Sequence, residues 1–261
     1  TLTISGGGVM VNSNCDPDAL SKTGSGTIDV EDGDIHIHGG FDVGGSGAVS
    51  PQPETVGFTV DDPLAGLAPP PLGAPAPGSP GTAANPDTWR KNGGGNLTLS
   101  PGTYYGGFYS NCACTITLQP GIYIMAGGGF SKAGGTNFVG DEVMIYVTTN
   151  PTNPTGDGAP APFDLEGSGS LALSPPTSGT YQGITLWQDA AITDSFRMRG
   201  SNDSISGIIY VPGATLDYSG DTTTGAVQLI VNKFLLSGNA PLDITYGQFR
   251  DLDAPKVVLV E

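Results

Sequence analysis

Short segments of this chain recur at a nearly constant spacing, and that spacing limits the fold more than any single motif does. Leu97-Thr98-Leu99-Ser100-Pro101-Gly102-Thr103-Tyr104 returns 19 residues later as Ile116-Thr117-Leu118-Gln119-Pro120-Gly121-Ile122-Tyr123. Tyr218-Ser219-Gly220-Asp221 returns after 18 residues as Leu236-Ser237-Gly238-Asn239, and Gly207-Ile208-Ile209 matches Gly225-Ala226-Val227 at the same interval. Val9 to Ile28 is again a step of 19. A period of 18 to 20 built from short alternating strands and Gly/Asn/Asp turns is the signature of a stacked solenoid, because each coil buries its strands only when the next coil lies on it. The sequence shows no strict six-residue aliphatic subperiod. It therefore predicts an all-β, single-stranded right-handed parallel β-helix.

The period-2 runs Thr27–Val30, Asp34–His38 and Phe41–Val43 are bounded by glycine-rich turns, as half-buried strands are. Two stretches break the pattern. The first, at about 51–95, holds Pro69-Pro70-Pro71 and has local polyproline character. It is expected to lie along the solenoid and cover an edge or apolar face, anchored by Leu64, Leu67, Leu72 and Trp89. The second, at 150–162, carries Pro151, Pro154, Pro160 and Pro162. The expected organisation is one solenoid domain over 1–261 interrupted by these two excursions. Gly and Pro number 42 and 22, yet the glycines punctuate apolar strands, and the 37% hydrophobic content supports a packed core over disorder.

Nine basic residues face 25 acidic ones, for a formal charge of −16. That balance excludes a nucleic-acid partner, whose phosphates need a basic footprint, and disfavours anionic lipid. No apolar run reaches the 18 residues of a membrane span. The start at Thr1, with no signal-peptide pattern, reads as a processed product.

The series Asp62-Pro63-Leu64-Ala65-Gly66-Leu67-Ala68-Pro69-Pro70, Leu99–Gly107, Leu118–Phe130, Gly183–Asp189, Gly207–Pro212 and Leu236–Asn239 resembles the β-helical extracellular region of bacterial TadE/TadG-like proteins, which are associated with Flp (Tad) pilus assembly. The likeness runs from about Leu2 to Thr245. It implies a cell-surface location, a structural or adhesive role, and surface or pilus proteins as partners. It brings no catalytic residues with it. The N-terminal transmembrane helix usual in that family has no counterpart in this sequence, which leaves room for a released or differently assembled surface protein.

Several groups of residues invite chemistry. If Ile35 and Ile37 face the core, Asp34, His36 and His38 project together, and imidazole with carboxylate suits zinc or copper; the ordinary fate of such a stripe is a polar outer face. Calcium is the ion that the acidic turns Asp29/Glu31/Asp32/Asp34, Asp61-Asp62, Asp141-Glu142 and Asp251/Asp253 would suit, although no EF-hand loop is present. No other cofactor is expected. Asp194, Asp203, Asp217 and Asp221 could supply the paired carboxylates of a polysaccharide hydrolase or lyase, with Arg197 and Arg199 as the only clustered cations. Tyr104, Tyr105, Phe108 and Tyr109 could stack on glycans or fill the core. Three cysteines allow one internal disulfide: Cys15 with either Cys112 or Cys114, or a strained Cys112–Cys114 bridge. The apolar tail Val257, Val258, Leu259 and Val260 is a candidate contact for self-association. These readings converge on a non-catalytic extracellular structural or adhesive protein, with a carbohydrate-active β-helix enzyme and a calcium- or glycan-binding adhesin as rivals.

Overall fold

The computed structural model describes residues 1–199, 203–219, 223–237 and 242–247. It is all-β, its parallel strands stacked as a β-solenoid. No α-helix occurs among the described residues, and the helical content is one 3₁₀ turn at Gly156–Gly158. The chain divides into two compact units, one holding Thr1–Pro69 with the segment from Asp243, the other Pro70–Leu242.

The first unit contains β1 (Leu2–Ser5), β2 (Val9–Val11), β3 (Leu20–Lys22), β4 (Ile28–Val30), β5 (Ile35–Ile37), β6 (Phe41–Val43), β7 (Val49–Ser50) and β8 (Glu54–Thr55). Each strand pairs in parallel with the third one after it: β1 with β4 and β4 with β7, β2 with β5 and β5 with β8, β3 with β6. One coil is therefore three strands. Leu2, Ile4, Val30, Ile35 and Ile37 form the core. The expected Val9-to-Ile28 step is not a coil step: Val9 pairs with Ile35, while Ile28 pairs with Leu2. The segment from Asn12 to Ala19 lengthens the first turn, so equal spacing in sequence does not give equal position here.

The second unit follows the same rule over more coils. Its strands are β9 (Trp89–Asn92), β10 (Leu97–Leu99), β11 (Gly102–Tyr105), β12 (Phe108–Asn111), β13 (Thr115–Leu118), β14 (Gly121–Ala126), β15 (Phe130–Ala133), β16 (Asn137–Gly140) and β17 (Val143–Thr148). They continue with β18 (Phe163–Glu166), β19 (Leu171–Leu173), β20 (Ile184–Gln188), β21 (Phe196–Arg199), β22 (Ser204–Ile205), β23 (Gly207–Tyr218) and β24 (Thr223–Leu236). The last described strand of the chain is β25 (Leu242–Thr245). Stacking every third strand makes three walls. The first is β9-β12-β15-β18-β21, the second β10-β13-β16-β19-β22 and the third β11-β14-β17-β20. β23 serves two walls, because Ile208–Tyr210 continue the third and Leu216–Tyr218 the first.

Aromatic rings fill the inside of the first wall. Trp89, Phe108 and Phe130 occupy successive rungs, with Phe163 and Phe196 above them. Ring centroids lie 6.0 Å apart for Phe108–Phe130 and Phe130–Phe163, and 4.5 Å apart for Phe163–Phe196. The first and last of these pairs are stacked and the middle one edge-on, and both arrangements add to the burial of the rings themselves. The second wall contributes Leu99, Ile116, Leu118, Phe138, Leu171, Leu173 and Ile205 to the core.

The recurrence at Pro101-Gly102-x-Tyr104 and Pro120-Gly121-x-Tyr123 has a local cause. Tyr104 donates its phenol to the Ser100 carbonyl at 2.6 Å, and Tyr123 to the Gln119 carbonyl at 2.8 Å. Each tyrosine thus closes the corner that precedes it. At Gly121 (φ 139°) a Cβ would stand 2.7 Å from Pro101 of the coil below, so only glycine lets the corners stack. Sequence and register agree at Leu97–Leu99 with Ile116–Leu118 and at Tyr218 with Leu236. They part at Gly207, which pairs with Val227 and not with Gly225, because a register shift between Val211 and Thr215 absorbs the difference.

The excursions cover strands, as the sequence predicts. Between Thr55 and Trp89 there is no strand. Within the second unit this stretch runs along β11: Pro75 bridges Thr103 in parallel, Ala76 N–H donates to the Thr103 carbonyl, and Tyr105 donates its phenol to the Gly73 carbonyl at 2.7 Å. Leu64 is buried in the first unit, whereas Leu67, Leu72 and Trp89 are half-buried. The two excursions also hold each other. Asn150 and Asn153 donate side-chain amides to the carbonyls of Ala83 and Ala84, and Asp157 accepts the Thr88 N–H.

Candidate functional site

The outer face of the first wall carries the densest array of ionisable side chains in the second unit. Alternation along each strand sets it out. Phe163-Asp164-Leu165-Glu166 and Phe196-Arg197-Met198-Arg199 send their apolar residues inward and their charges outward. Register places Arg197 between Asp164 and Asp217 in one row, and Arg199 beside Glu166 in the next. Arg199 bonds Asp217 at 2.7 Å and lies 3.6 Å from Glu166. That contact with Asp217 raises the guanidinium above its ordinary value. Burial, helped by the neighbouring Glu166, pushes the Asp164 carboxyl up, against the opposing pull of Arg197 and Arg199. Its Oδ1 is buried and has no hydrogen-bond partner. Further along the same wall the Arg90 guanidinium sits 5.6 Å over the Tyr109 ring, a cation–π contact.

Two other carboxylates sit in very different settings, Asp189 half-buried and Asp203 buried. Asp189 follows β20 and accepts hydrogen bonds from the Tyr146 and Thr148 hydroxyls and from the Ala191 N–H. Those donors hold its pKa below the ordinary value although burial alone would raise it. Asp203 is 2% exposed and accepts the Leu171 N–H at 2.8 Å. Burial lifts it to about 6, while Lys132 opposes the shift. Lys132 points inward from β15 and donates to the carbonyls of Glu166 (3.1 Å) and Gly169 (2.5 Å); burial lowers its amine.

The proposed enzymatic carboxylates are therefore not gathered in one groove. Asp203 faces the interior, Asp217 faces outward on the first wall, Asp194 is exposed in the turn before β21, and Asp221 lies outside the described residues. Among the four aromatics proposed for stacking, Tyr104, Tyr105 and Phe108 are buried and only Tyr109 reaches the surface. Sequence reasoning missed Asp164, Glu166, Lys132 and Asp189. The first two had a signal: Phe-Asp-Leu-Glu and Phe-Arg-Met-Arg carry opposite charges at matching positions of two rungs.

In the first unit Ile35 and Ile37 do face the core, and His36 faces out between Met10 and Glu54. Its Nε2 is 3.9 Å from the Glu54 carboxylate, and its ring meets Phe58 edge-on. Asp34 and His36 line a shallow depression of about 300 Å³ with Gly7, Gly8 and Met10. His38 is directed elsewhere, with Nδ1 3.4 Å from the Phe58 carbonyl. No three His, Cys, Asp or Glu side chains converge as a metal-ligand set among the described residues, which hold the acidic turns considered for calcium except Asp251/Asp253, outside them. Cys112 and Cys114 are bonded to each other at the corner between β12 and β13, while Cys15 is free and exposed. Val257, Val258, Leu259 and Val260 lie outside the described residues. No helix among the described residues is long and apolar enough to cross a membrane. Comparison of the chain with protein-family models, curated proteins and solved structures finds no match.

Proposed function

We propose that this chain is a non-catalytic structural or adhesive element of a bacterial cell surface. The supporting observation is the aromatic stack inside the first wall together with the ion pairs on its outer face. The inner rings make a continuous core, and the outer face remains a flat, polar, strand-built surface suited to contact with another large molecule. The acidic composition and low charged content agree with this reading, as does the resemblance to TadE/TadG-like surface proteins. Immunogold electron microscopy of cells and of the secreted fraction tests it. Label on fibres or on a surface lattice is the expected result, and label confined to the cell interior overturns the reading.

One observation favours a second reading, a polysaccharide hydrolase. Asp164 and Asp217 flank Arg197 on consecutive rungs. Two strand steps of about 4.8 Å put them about 9.5 Å apart, at the upper end of the inverting range. Burial pushes the Asp164 carboxyl up, the direction a proton donor needs, and Asp217 is paired with Arg199. Release of reducing ends from a panel of polysaccharides, abolished by Asp164→Asn, would establish this reading in place of the first. Absence of turnover removes it.

A further inference from the structure

Among the described residues the exposed cations are set apart from residues 1–69. Residues 1–69 contain ten carboxylates and a single cationic residue, Lys22. That lysine is 6% exposed and its amine is spent on the carbonyls of Gly24 and Gly44. Asp16, Asp18, Asp29, Glu31, Asp32, Asp34, Asp42, Glu54 and Asp61 are all exposed, so the surface that residues 1–69 present carries carboxylates and no free cation. In the second unit the opposite sign is concentrated. Every exposed Lys or Arg among the described residues, namely Arg90, Arg197, Arg199 and Lys233, extends the same wall. Lys233 belongs there because Phe234 stacks inward on Leu216, which leaves its neighbour facing out beside Thr215. Lys132 is buried inside.

We infer that the outer face of the first wall docks the acidic first unit of a second copy of this chain, head to tail. The inference rests on the surface-assembly reading above. A −16 chain repels its own copies unless cations are gathered where an acidic patch can meet them, and among the described residues the first wall is that place. Asp164, Glu166 and Asp217 temper the wall, so the contact is weak per pair and depends on several pairs at once. The two contacting surfaces differ, which makes the contact heterologous. Such a contact extends into an open chain unless its rotation closes a ring.

Sedimentation velocity of the intact chain tests this. At about 0.01 M ionic strength, where the screening length is about 30 Å, concentration-dependent assemblies are expected; at about 1 M, where it is about 3 Å, they dissociate. The wall variant R90E/R197E/K233E retains the Arg199 ion pairs, and D18K/D29K/D42K reverses the acidic unit. Each is expected to sediment as a monomer alone, with an unchanged thermal midpoint showing that it is folded. Their mixture restores a complementary wall and unit, and is expected to regain the salt-sensitive association that each variant lacks alone. A wild-type chain that stays monomeric at low salt, assembles equally well at high salt, or assembles normally with the wall reversed overturns the inference. So does a wall that binds polygalacturonate while the chain fails to self-associate, because that assigns it to an acidic polysaccharide. Any of these results leaves the immunogold test of a surface role standing.

Discussion

The first and third walls of the second unit are built from the same parallel strands yet meet their surroundings in opposite ways. On the first, Phe163 and Leu165 are buried while Asp164 and Glu166 face outward. On the third, all six residues of β17 and all five of β20 are buried. Parallel strands are ordinarily covered on both faces. The third wall meets that rule through its excursions. Gly73 sits on Thr103 and Tyr105, Tyr181 packs against Trp187, and Asp189 ties the following turn to Tyr146 and Thr148. The first wall departs from the rule by alternating strictly and by pairing its outward charges. The irregular segments are therefore the second layer of one wall, and a wall without them must be polar outside.

The largest expected effect comes from the core that both walls share. Phe130→Ala removes a buried ring that stacks on Phe108 and meets Phe163 edge-on, and is expected to cost about 3–5 kcal/mol in chemical denaturation. A loss below about 1 kcal/mol would mean that the rings do not form a continuous stack. Next comes the cover of the third wall. Asp189→Ala leaves two hydroxyls and one backbone N–H without their acceptor, and a cost of about 3 kcal/mol is expected at neutral pH. Because the folded pKa of Asp189 is depressed, its contribution is present above the unfolded value and is lost as pH falls through the folded one. The difference between wild type and variant should therefore shrink in acid.

Asp203 sharpens the comparison by having the opposite sign. Its folded pKa is raised from 3.8 to about 6, so the folded state binds the extra proton. Its contribution is complete below the unfolded value and is lost as pH rises through the folded one. Between about pH 4 and 6 stability is expected to fall by about 2–3 kcal/mol on this account. Asp203→Asn cannot titrate, yet its amide oxygen can still accept the Leu171 N–H, and the slope in that window should flatten. An unchanged slope would place the titration elsewhere.

These contrasts were unequally legible in the sequence. Val143-Met144-Ile145-Tyr146-Val147 reads directly as a strand buried on both faces, and Leu97–Leu99 with Ile116–Leu118 fixes a coil step. Three strands per coil could not be read so easily, because turns vary in length and the excursions separate Phe130 from its partner Phe163. The charged wall was half visible. Arg197 and Arg199 stood out as a cluster, but their partners Asp164 and Glu166 lie one rung away and become neighbours only through register. Asp203 reads from the sequence as one of four candidate paired carboxylates, because nothing local announces that its side chain is buried and interacts with Lys132. Ile35 and Ile37 face the core and His36 faces out, but Asp34, His36 and His38 do not project together, because His38 turns to the Phe58 carbonyl.

The smallest expected effect lies on the open wall itself. Arg199→Ala removes the contacts with Asp217 and Glu166. Both partners remain within reach of water, and the ordering of a long side chain offsets much of what an exposed ion pair gains. No measurable change in the thermal midpoint is expected, in contrast to Asp189→Ala, although both variants break a hydrogen bond to an aspartate. What separates them is the cover. The Tyr146 and Thr148 hydroxyls that Asp189 accepts from belong to buried residues, so their lost acceptor is not readily replaced, whereas a lost partner on the open wall is replaced by solvent. A large destabilisation by Arg199→Ala would show that this wall, too, is covered in solution, and that its charges serve the fold before they serve any contact with another molecule.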